Sequence, residues 1–217
     1  MNRHRSPNRS GVAIVEFTLS LVFLIPLLLG TFIFGFRLIR SLEMEQIVRD
    51  LGHMYIRGVN FRNPGPQQNA QTLSSGFDLS STGSSLVILS TIRILQQADC
   101  DAANPLSPPG TPCTNLNNPV FTEQLTVGNA SLQVGGNTVR SAFGKPPLQS
   151  DFTVTSVNQA NNSGAAAGNT GTLSGFAGIL VLQAGEFAYV VEMFNATPDL
   201  NIPGFSGTPQ VYARSVF

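Results

Sequence analysis

The sequence predicts an α+β protein in which one long N-terminal helix packs on a small, mainly antiparallel β-sheet. Residues 12–57 combine a continuous apolar run with a helical period of apolar side chains. Short runs of β-branched and aromatic residues begin only after residue 85, between segments rich in Gly, Pro, Ser and Asn. The length of 217 residues suits one domain with appendages.

The composition excludes several classes of protein. The chain has 12 basic and 12 acidic residues, and only 11% of its residues are charged, against about 25% in ordinary soluble domains. This balance does not favour a nucleic-acid partner. Two Cys and two His are too few for a rich metal site. Residues 1–62 carry eight Arg and four acids, whereas residues 63–217 carry four basic residues and eight acids, which indicates two parts in different surroundings.

Residues 12–36 form an apolar run that contains one charge, Glu16. These 25 residues span roughly 37 Å as a helix, which exceeds the hydrocarbon core of about 30 Å. The run is apolar on all sides, unlike a helix that buries one face in a soluble domain. We therefore expect a transmembrane helix at 12–36 after a basic leader peptide at 1–11. A cleaved secretory signal and a plain membrane anchor are the alternatives.

The residues around Gly11 resemble the processing site of type IV pilins. Gly11 and Val12 are followed by Glu16 and Phe17. In that family a dedicated peptidase cuts after the glycine, and a glutamate then stands at the fifth mature position. The wider stretch RSGVAIVEFTL, residues 9–19, is similar to the start of the TadE-like pseudopilins of the tight-adherence (Tad) system.

The C-terminal end also resembles TadE-like proteins. There the family has a Gly-Glu strand with a Val-Val-Glu centre that leads to a proline, and a last strand with an Ala-x-x-Val-Phe pattern. The matching residues are Gly185, Glu186, Val190, Val191, Glu192 and Pro198, followed by Ala213, Val216 and Phe217. The resemblance covers residues 10–60 and 178–217, and the middle of the chain does not take part in it.

The resemblance implies a pilin-like fold and a structural minor pilin or pseudopilin, not an enzyme. A prepilin peptidase would cut between Gly11 and Val12. The implied partners are other pilin or pseudopilin subunits, the Tad assembly machinery and the bacterial inner membrane. The N-terminus would be cytoplasmic, and the C-terminal domain would be extracytoplasmic or part of a cell-surface filament for adhesion or secretion. An unprocessed, single-pass membrane-anchored extracytoplasmic binding domain is the alternative function, and a TadF-like subunit is not separated from a TadE-like one.

Charge gives Glu16 a reason to take part in subunit assembly. Cleavage after Gly11 creates an ammonium group on Val12, about 6 Å along the helix axis from Glu16. A charge left unpaired in apolar surroundings costs several kcal/mol. We therefore expect the amine of one subunit to pair with Glu16 of its neighbour, with Phe17 in the same contact region. A Glu16 at the headgroup level, without this role, is the alternative.

Residues 37–60 are predicted to continue the helix as an amphipathic segment. Its apolar face is expected to hold Leu38, Leu42, Val48, Leu51 and Tyr55, with Met44, Ile47 and Met54 beside it. Gly58 is the candidate C-cap. Residues 61–85, rich in Pro, Gly and Ser, are predicted to be a linker.

The extracytoplasmic domain is predicted at 86–217. Strands are expected at 86–95, 120–127, 151–157, 186–198 and 210–217, with a short hairpin around 135–137. Residues 99–114 and 158–175 are predicted to be loops. Cys100 and Cys113 enclose the first of these loops, and outside the cytoplasm a disulfide between them would stabilise the fold by about 3 kcal/mol.

No catalytic residue, metal ligand or cofactor site is predicted. The sequence has no Gly-x-Ser-x-Gly, Walker A or Gly-x-Gly-x-x-Gly motif. His4 and His53 have no evident nucleophilic partner. Glu186 and Glu192 lie six residues apart, and we interpret them as two solvent-facing strand residues rather than a glycosidase pair.

Overall fold

The structure is a computed structural model that describes residues 10–74, 76–168, 182–183, 185–196 and 210–217. The chain divides into two compact units, one up to Arg40 and the other from Ser41 to Phe217. Residues 1–9 of the expected leader lie outside the described residues.

Helix α1 runs from Ser10 to Ile56, which confirms the long N-terminal helix. Within the described residues it is the one helix long and apolar enough to cross a membrane, with a mean hydropathy of 2.5 over its most apolar window. Large apolar side chains are exposed along the part of helix α1 that belongs to the first unit, from Val12 to Ile39. The hydroxyls of Thr18 and Ser20 donate to the backbone carbonyls of Ile14 and Glu16, so these polar groups are satisfied within the helix.

The last turns of α1 bury one apolar face in the second unit. The buried residues of that face are Met44, Ile47, Val48, Leu51 and Tyr55. Leu38 and Leu42 were expected on the same face but are exposed. Burial in the second unit therefore starts one to two turns later than the amphipathic pattern predicted. The pattern of apolar residues does not mark this start, because Leu38 and Leu42 follow directly on the segment that is apolar on all sides.

Helix α1 ends at the glycine that the sequence indicated. Gly58 has a φ of 80°, which glycine adopts without steric cost. Its N–H donates to the carbonyl of Tyr55, and the N–H of Val59 donates to the carbonyl of Met54. These two bonds form a Schellman motif, and both Val59 and Met54 are partly buried against the same hydrophobic cluster. The chain is thereby turned back across the end of the helix.

The expectation of a linker at 61–85 is wrong. Helix α2, Pro64–Leu73, lies within it, and Pro64 suits its first turn because its fixed φ is already helical. Phe61, Ala70, Phe77 and Leu79 belong to the same hydrophobic core as helix α1. The polar residues bond to the backbone: the side-chain amides of Gln67 and Gln71 donate to the carbonyls of Phe61 and Leu79.

Four strands form an antiparallel sheet, which confirms the predicted fold class. They are β1 Ser85–Ile94, β2 Pro119–Gly128, β5 Phe187–Ala196 and β6 Gln210–Val216, in the order β2-β1-β5-β6. Each neighbouring pair is antiparallel. A separate small hairpin joins β3 Gln133–Val134 to β4 Asn137–Thr138 through the predicted turn.

Both faces of the sheet are covered. Val87, Leu89, Val191 and Met193 pack in the cluster that contains the helix α1 residues. On the other face, residues 139–167 supply Phe143, Val154 and Ala165 to a cluster with Ile92, Phe121 and Val190. A strand that is buried on both faces shows a nearly continuous apolar run, as the sequence of β5 does.

The expected strand at 151–157 is replaced by a bridge and a helix. Thr153 forms an isolated β-bridge with Glu123, and Thr155 then caps helix α4, Ser156–Asn161. The side-chain oxygen of Thr155 accepts a hydrogen bond from the N–H of Asn158, so the chain turns helical where a strand was expected. A 3₁₀ turn, Ser163–Ala165, follows, so residues 158–168 of the expected loop are ordered structure. Residues 169–175 of that loop, and 178–181, lie outside the described residues.

Part of the expected loop at 99–114 is helical. Helix α3, Gln97–Ala103, starts with a reciprocal capping box between Gln96 and Asp99. The backbone N–H of Gln96 donates to the Asp99 carboxylate over 2.9 Å. Asp99 also forms an ion pair of 3.0 Å with Arg93, so strand β1 and helix α3 are tied together at this point.

Candidate functional site

The residues predicted for processing and assembly lie in the first turns of helix α1. The helix includes Ser10, Gly11 and Val12, and Glu16 and Phe17 follow one turn later. Val12, Glu16 and Phe17 are exposed. The helical rise places Val12 and Glu16 about 6 Å apart along the axis. Val12, Glu16 and Phe17 therefore lie on one short, exposed segment of helix α1, directly after Gly11.

Cys100 and Cys113 form a disulfide, as the sequence predicts, with their Cα atoms 5.5 Å apart. Cys100 is buried in helix α3 and packs with Leu95 and Val120. The loop between the cysteines is organised by Asp101. Its carboxylate accepts hydrogen bonds from the side chain of Gln97 at 2.9 Å and from the N–H of Gly110 at 3.0 Å.

No metal centre is seen in the part of the chain that the structure describes, where no three His, Cys, Asp or Glu residues come together. Asp99 and Asp101 flank Cys100, but both carboxylates already serve protein donors. Asp99 caps helix α3 and pairs with Arg93, and Asp101 holds the loop to the N–H of Gly110. Their arrangement therefore serves the local fold.

Glu192 is fully buried, so the interpretation of Glu186 and Glu192 as two solvent-facing residues is wrong for one of them. Glu192 lies in the middle of β5 on the face that residues 139–167 cover. Its carboxylate accepts hydrogen bonds from the hydroxyl of Ser141, from the N–H of Ala142 at 2.9 Å and from the hydroxyl of Tyr212 at 2.8 Å. Glu186 precedes the strand and is exposed, and its carboxylate accepts the N–H of Gln183.

Opposing effects act on the Glu192 carboxyl. Burial is the largest of them and raises its pKa above the ordinary value, because the charged form is poorly solvated in the core. The hydrogen bonds from Ser141, Ala142 and Tyr212 and the positive charge of Arg214 act in the opposite direction. The pKa of Tyr212 is also raised, first by burial and then by the neighbouring Glu192. This cluster fastens the 141–143 turn to strands β5 and β6.

The sequence contained one signal for this burial. Glu192 stands within the run Ala188–Phe194, which is otherwise almost entirely apolar or aromatic. A run of that kind is typical of a strand covered on both faces, and a carboxylate within it must then be buried and hydrogen-bonded. Its partners Ser141 and Ala142 lie 50 residues or more away and carry no pattern that pairs them with it.

The chain was compared with protein-family models, with curated proteins and with solved structures, and none of them matches it.

Proposed function

We propose that this protein is a structural minor pilin or pseudopilin of the TadE-like kind, which a prepilin peptidase cuts between Gly11 and Val12. It is then a subunit in the assembly of a Tad-type pilus or secretion filament, together with other pilin subunits and the assembly machinery. Before assembly it lies in the bacterial inner membrane with a cytoplasmic N-terminus.

One observation carries the proposal: an acidic residue, Glu16, stands one turn inside the helix after Gly11-Val12, at the start of an exposed apolar segment. A carboxylate in such a segment is costly in a membrane and is retained where it has a partner. The ammonium group that cleavage creates on Val12 is positively charged and lies about 6 Å from Glu16 along the helix axis, so the ammonium group of a neighbouring subunit can be this partner.

Two further features support the proposal, and the first of them favours an extracytoplasmic second unit. Cys100 and Cys113 are joined in a disulfide, and disulfides persist mainly outside the reducing cytoplasm. Helix α1 continues from its apolar segment into the core of the antiparallel sheet without interruption at residues 10–56. One helix that combines an apolar segment with a sheet-packed segment is the arrangement that the resemblance to pilins implies.

The test is the identity of the first residue of the mature protein. The full-length chain is co-expressed with a prepilin peptidase, and its intact mass and N-terminal sequence are determined. We expect a start at Val12. The variant Gly11→Val is the matched control and should retain the full leader, because the cut follows a glycine in the family that the motif resembles.

A start at Met1 would contradict the proposal, provided that the same peptidase cleaves a control pilin in the same cells. The chain would then be better described as an unprocessed, single-pass anchored domain that binds a ligand outside the cytoplasm. Cleavage at a site other than residues 11–12 would equally contradict it, because Glu16 would lose its place at the fifth mature position.

A further inference from the structure

A cleft of about 320 Å³ opens in the second unit where helix α1 ends above the sheet. This volume lies at the lower end of the range for small-molecule sites, which is roughly 300–1,000 Å³. Its walls include Tyr55, Asn60, Arg62, Glu123, Phe187 and Tyr189. None of these residues belongs to the processing motif, the disulfide or the Glu192 cluster.

The cleft lies at the C-terminal end of helix α1. The Schellman turn at Gly58 ends the helix, and Asn60 and Arg62, which follow this turn, line the cleft together with Phe187 at the start of β5. Phe187 and Tyr189 are two residues apart on β5, so they project from the same face of the sheet. Phe187 is 51% exposed, which is unusual for a phenylalanine on a sheet whose other described apolar positions are mostly covered.

The aromatic wall is held in place by contacts within the core. The rings of Tyr55 and Tyr189 meet edge to face with their centroids 5.4 Å apart, and Tyr55 meets Phe61 in the same manner at 6.3 Å. The hydroxyl of Tyr55 is hydrogen-bonded to that of Thr91 over 2.7 Å. The rings of Tyr55 and Tyr189 are therefore fixed before any ligand arrives, and little ordering of these two side chains is needed on binding.

The opposite wall is polar and carries no net charge. The guanidinium of Arg62 and the carboxylate of Glu123 form an ion pair of 3.1 Å, and the side-chain oxygen of Asn60 accepts a hydrogen bond from the backbone N–H of Arg62. A guanidinium has five N–H donors and a carboxylate about four acceptor sites, so this single contact leaves capacity for a ligand on both groups. An ion pair beside an aromatic surface offers donors and acceptors together.

We propose that this cleft binds a neutral saccharide. The weakly positive C–H face of a sugar ring is attracted to the negative face of an aromatic ring, and Phe187 is the exposed aromatic side chain of the cleft. Adjacent sugar hydroxyls donate to the Glu123 carboxylate and accept from the Arg62 guanidinium. An anionic ligand is repelled by Glu123, and a cationic ligand is repelled by Arg62. An apolar peptide side chain desolvates the polar wall without forming hydrogen bonds to it, so a neutral, hydroxyl-rich ligand fits the cleft better. The proposal does not depend on processing at Gly11.

Binding is measured on the full-length chain in a detergent without a sugar headgroup, such as an amine oxide. The probes are two neutral trisaccharides, N,N′,N″-triacetylchitotriose and maltotriose. The chain has three Tyr and no Trp, and two of the tyrosines line the cleft, so tyrosine fluorescence reports directly on this site. Saturation-transfer NMR on the trisaccharides gives an independent measure.

Two variants and one control decide the outcome. We expect saturable binding of at least one trisaccharide, weakened about tenfold or more by Phe187→Ala and by Glu123→Gln. Phe152→Ala is the control, because Phe152 is 40% exposed but does not line the cleft, and it should keep the wild-type affinity. Circular dichroism of each variant verifies that the fold is retained.

Any one of three results would overturn the proposal. The first is that neither trisaccharide binds at millimolar concentration. The second is that Phe187→Ala binds as tightly as the wild type, and the third is that Phe152→Ala loses as much affinity as Phe187→Ala. A leucine–phenylalanine–leucine tripeptide is run beside the sugars. Binding of this peptide in the absence of any sugar binding would identify a protein partner's apolar side chain as the occupant instead.

Discussion

Gly52 lies directly beneath the ring of Phe217. A Cβ atom built on Gly52 would come within 2.1 Å of the Cε2 atom of that ring, and the ring centroid lies 5.3 Å from that of His53. Phe217 is held there by its backbone, which exchanges two hydrogen bonds of 3.0 Å with Tyr189. The last residue of the chain therefore packs on the last turns of helix α1 through a position that has no side chain.

This relationship predicts that the effect of Gly52→Ala on the free energy of unfolding depends on whether Phe217 is present. In the wild type the added methyl displaces the ring, and overpacking of this kind typically costs about 1–3 kcal/mol of unfolding free energy, which cancels or exceeds the ~1 kcal/mol that alanine gains over glycine in a helix. In a Phe217→Ala background the methyl has room, so the same change should stabilise. Urea unfolding of the full-length chain in detergent measures both differences. Destabilisation of equal size in both backgrounds would contradict the close approach of Gly52 and Phe217.

Glu192 predicts a pH dependence of stability that a glutamine in its place removes. Burial raises the pKa of the folded state above that of the unfolded state, so the folded protein binds the proton more tightly. The free energy of unfolding therefore falls as the pH rises from the unfolded pKa through the folded one. Glu192→Gln should lack this fall, so that its stability relative to the wild type increases with pH over that interval.

The measurement is urea unfolding of both proteins at a series of pH values from 4 upwards. Glu186→Gln is the control, because it removes an exposed carboxylate just before the same strand. If the wild type and Glu192→Gln keep a constant difference across the series, the hydrogen bonds from Ser141, Ala142 and Tyr212 offset burial, and the pKa of Glu192 is not raised in the folded state.

The contrast between Gly58 and Glu192 illustrates what the sequence can predict. Helix α1 and its end at Gly58 follow from local rules, namely a long apolar period and a glycine that adopts positive φ. The four strands of the main sheet are marked by β-branched residues in the same local way. The contacts of Glu192 depend on residues 139–167, which cover the sheet with turns and short helices that have no apolar period.

The prediction of a linker around Pro64 was wrong for a related reason. Pro, Gly and Gln are typical of loops, but here Pro64 begins helix α2 and the glutamines bond to the backbone. The buried Phe61 and Phe77 flank this helix and were the available signal that the segment belongs to the core. The cleft beside Phe187 was beyond sequence reasoning altogether, because it depends on how far α1 extends over the sheet.

The disulfide predicts a measurable loss on its removal. Cys100 and Cys113 close a loop of 13 residues in sequence separation, which corresponds to a stabilisation of about 3 kcal/mol in the loop-entropy model. The double variant Cys100→Ser, Cys113→Ser should therefore lower the free energy of unfolding by about that amount. Its unfolding curve is compared with that of the wild type treated with a reductant, which should give a similar loss. A loss below about 1 kcal/mol in both would mean that Asp101 and its hydrogen bonds already fix the loop.

Glu16 supplies the prediction that bears most directly on assembly. Glu16→Gln keeps the size and shape of the side chain but removes its charge, so it leaves the apolar segment intact and cannot neutralise the Val12 amine of a neighbouring subunit. We expect this variant to reach the membrane and to be cut after Gly11 as the wild type is, but to enter filaments at a level reduced about tenfold or more, since an unpaired ammonium group in an apolar layer costs several kcal/mol. Membrane fractionation and N-terminal sequencing separate these steps, and sheared filaments are quantified by immunoblotting.

Glu43→Gln is the matched control, because it removes an exposed carboxylate from the same helix outside the apolar run. Wild-type incorporation of Glu16→Gln would show that the Val12 amine is neutralised in some other way.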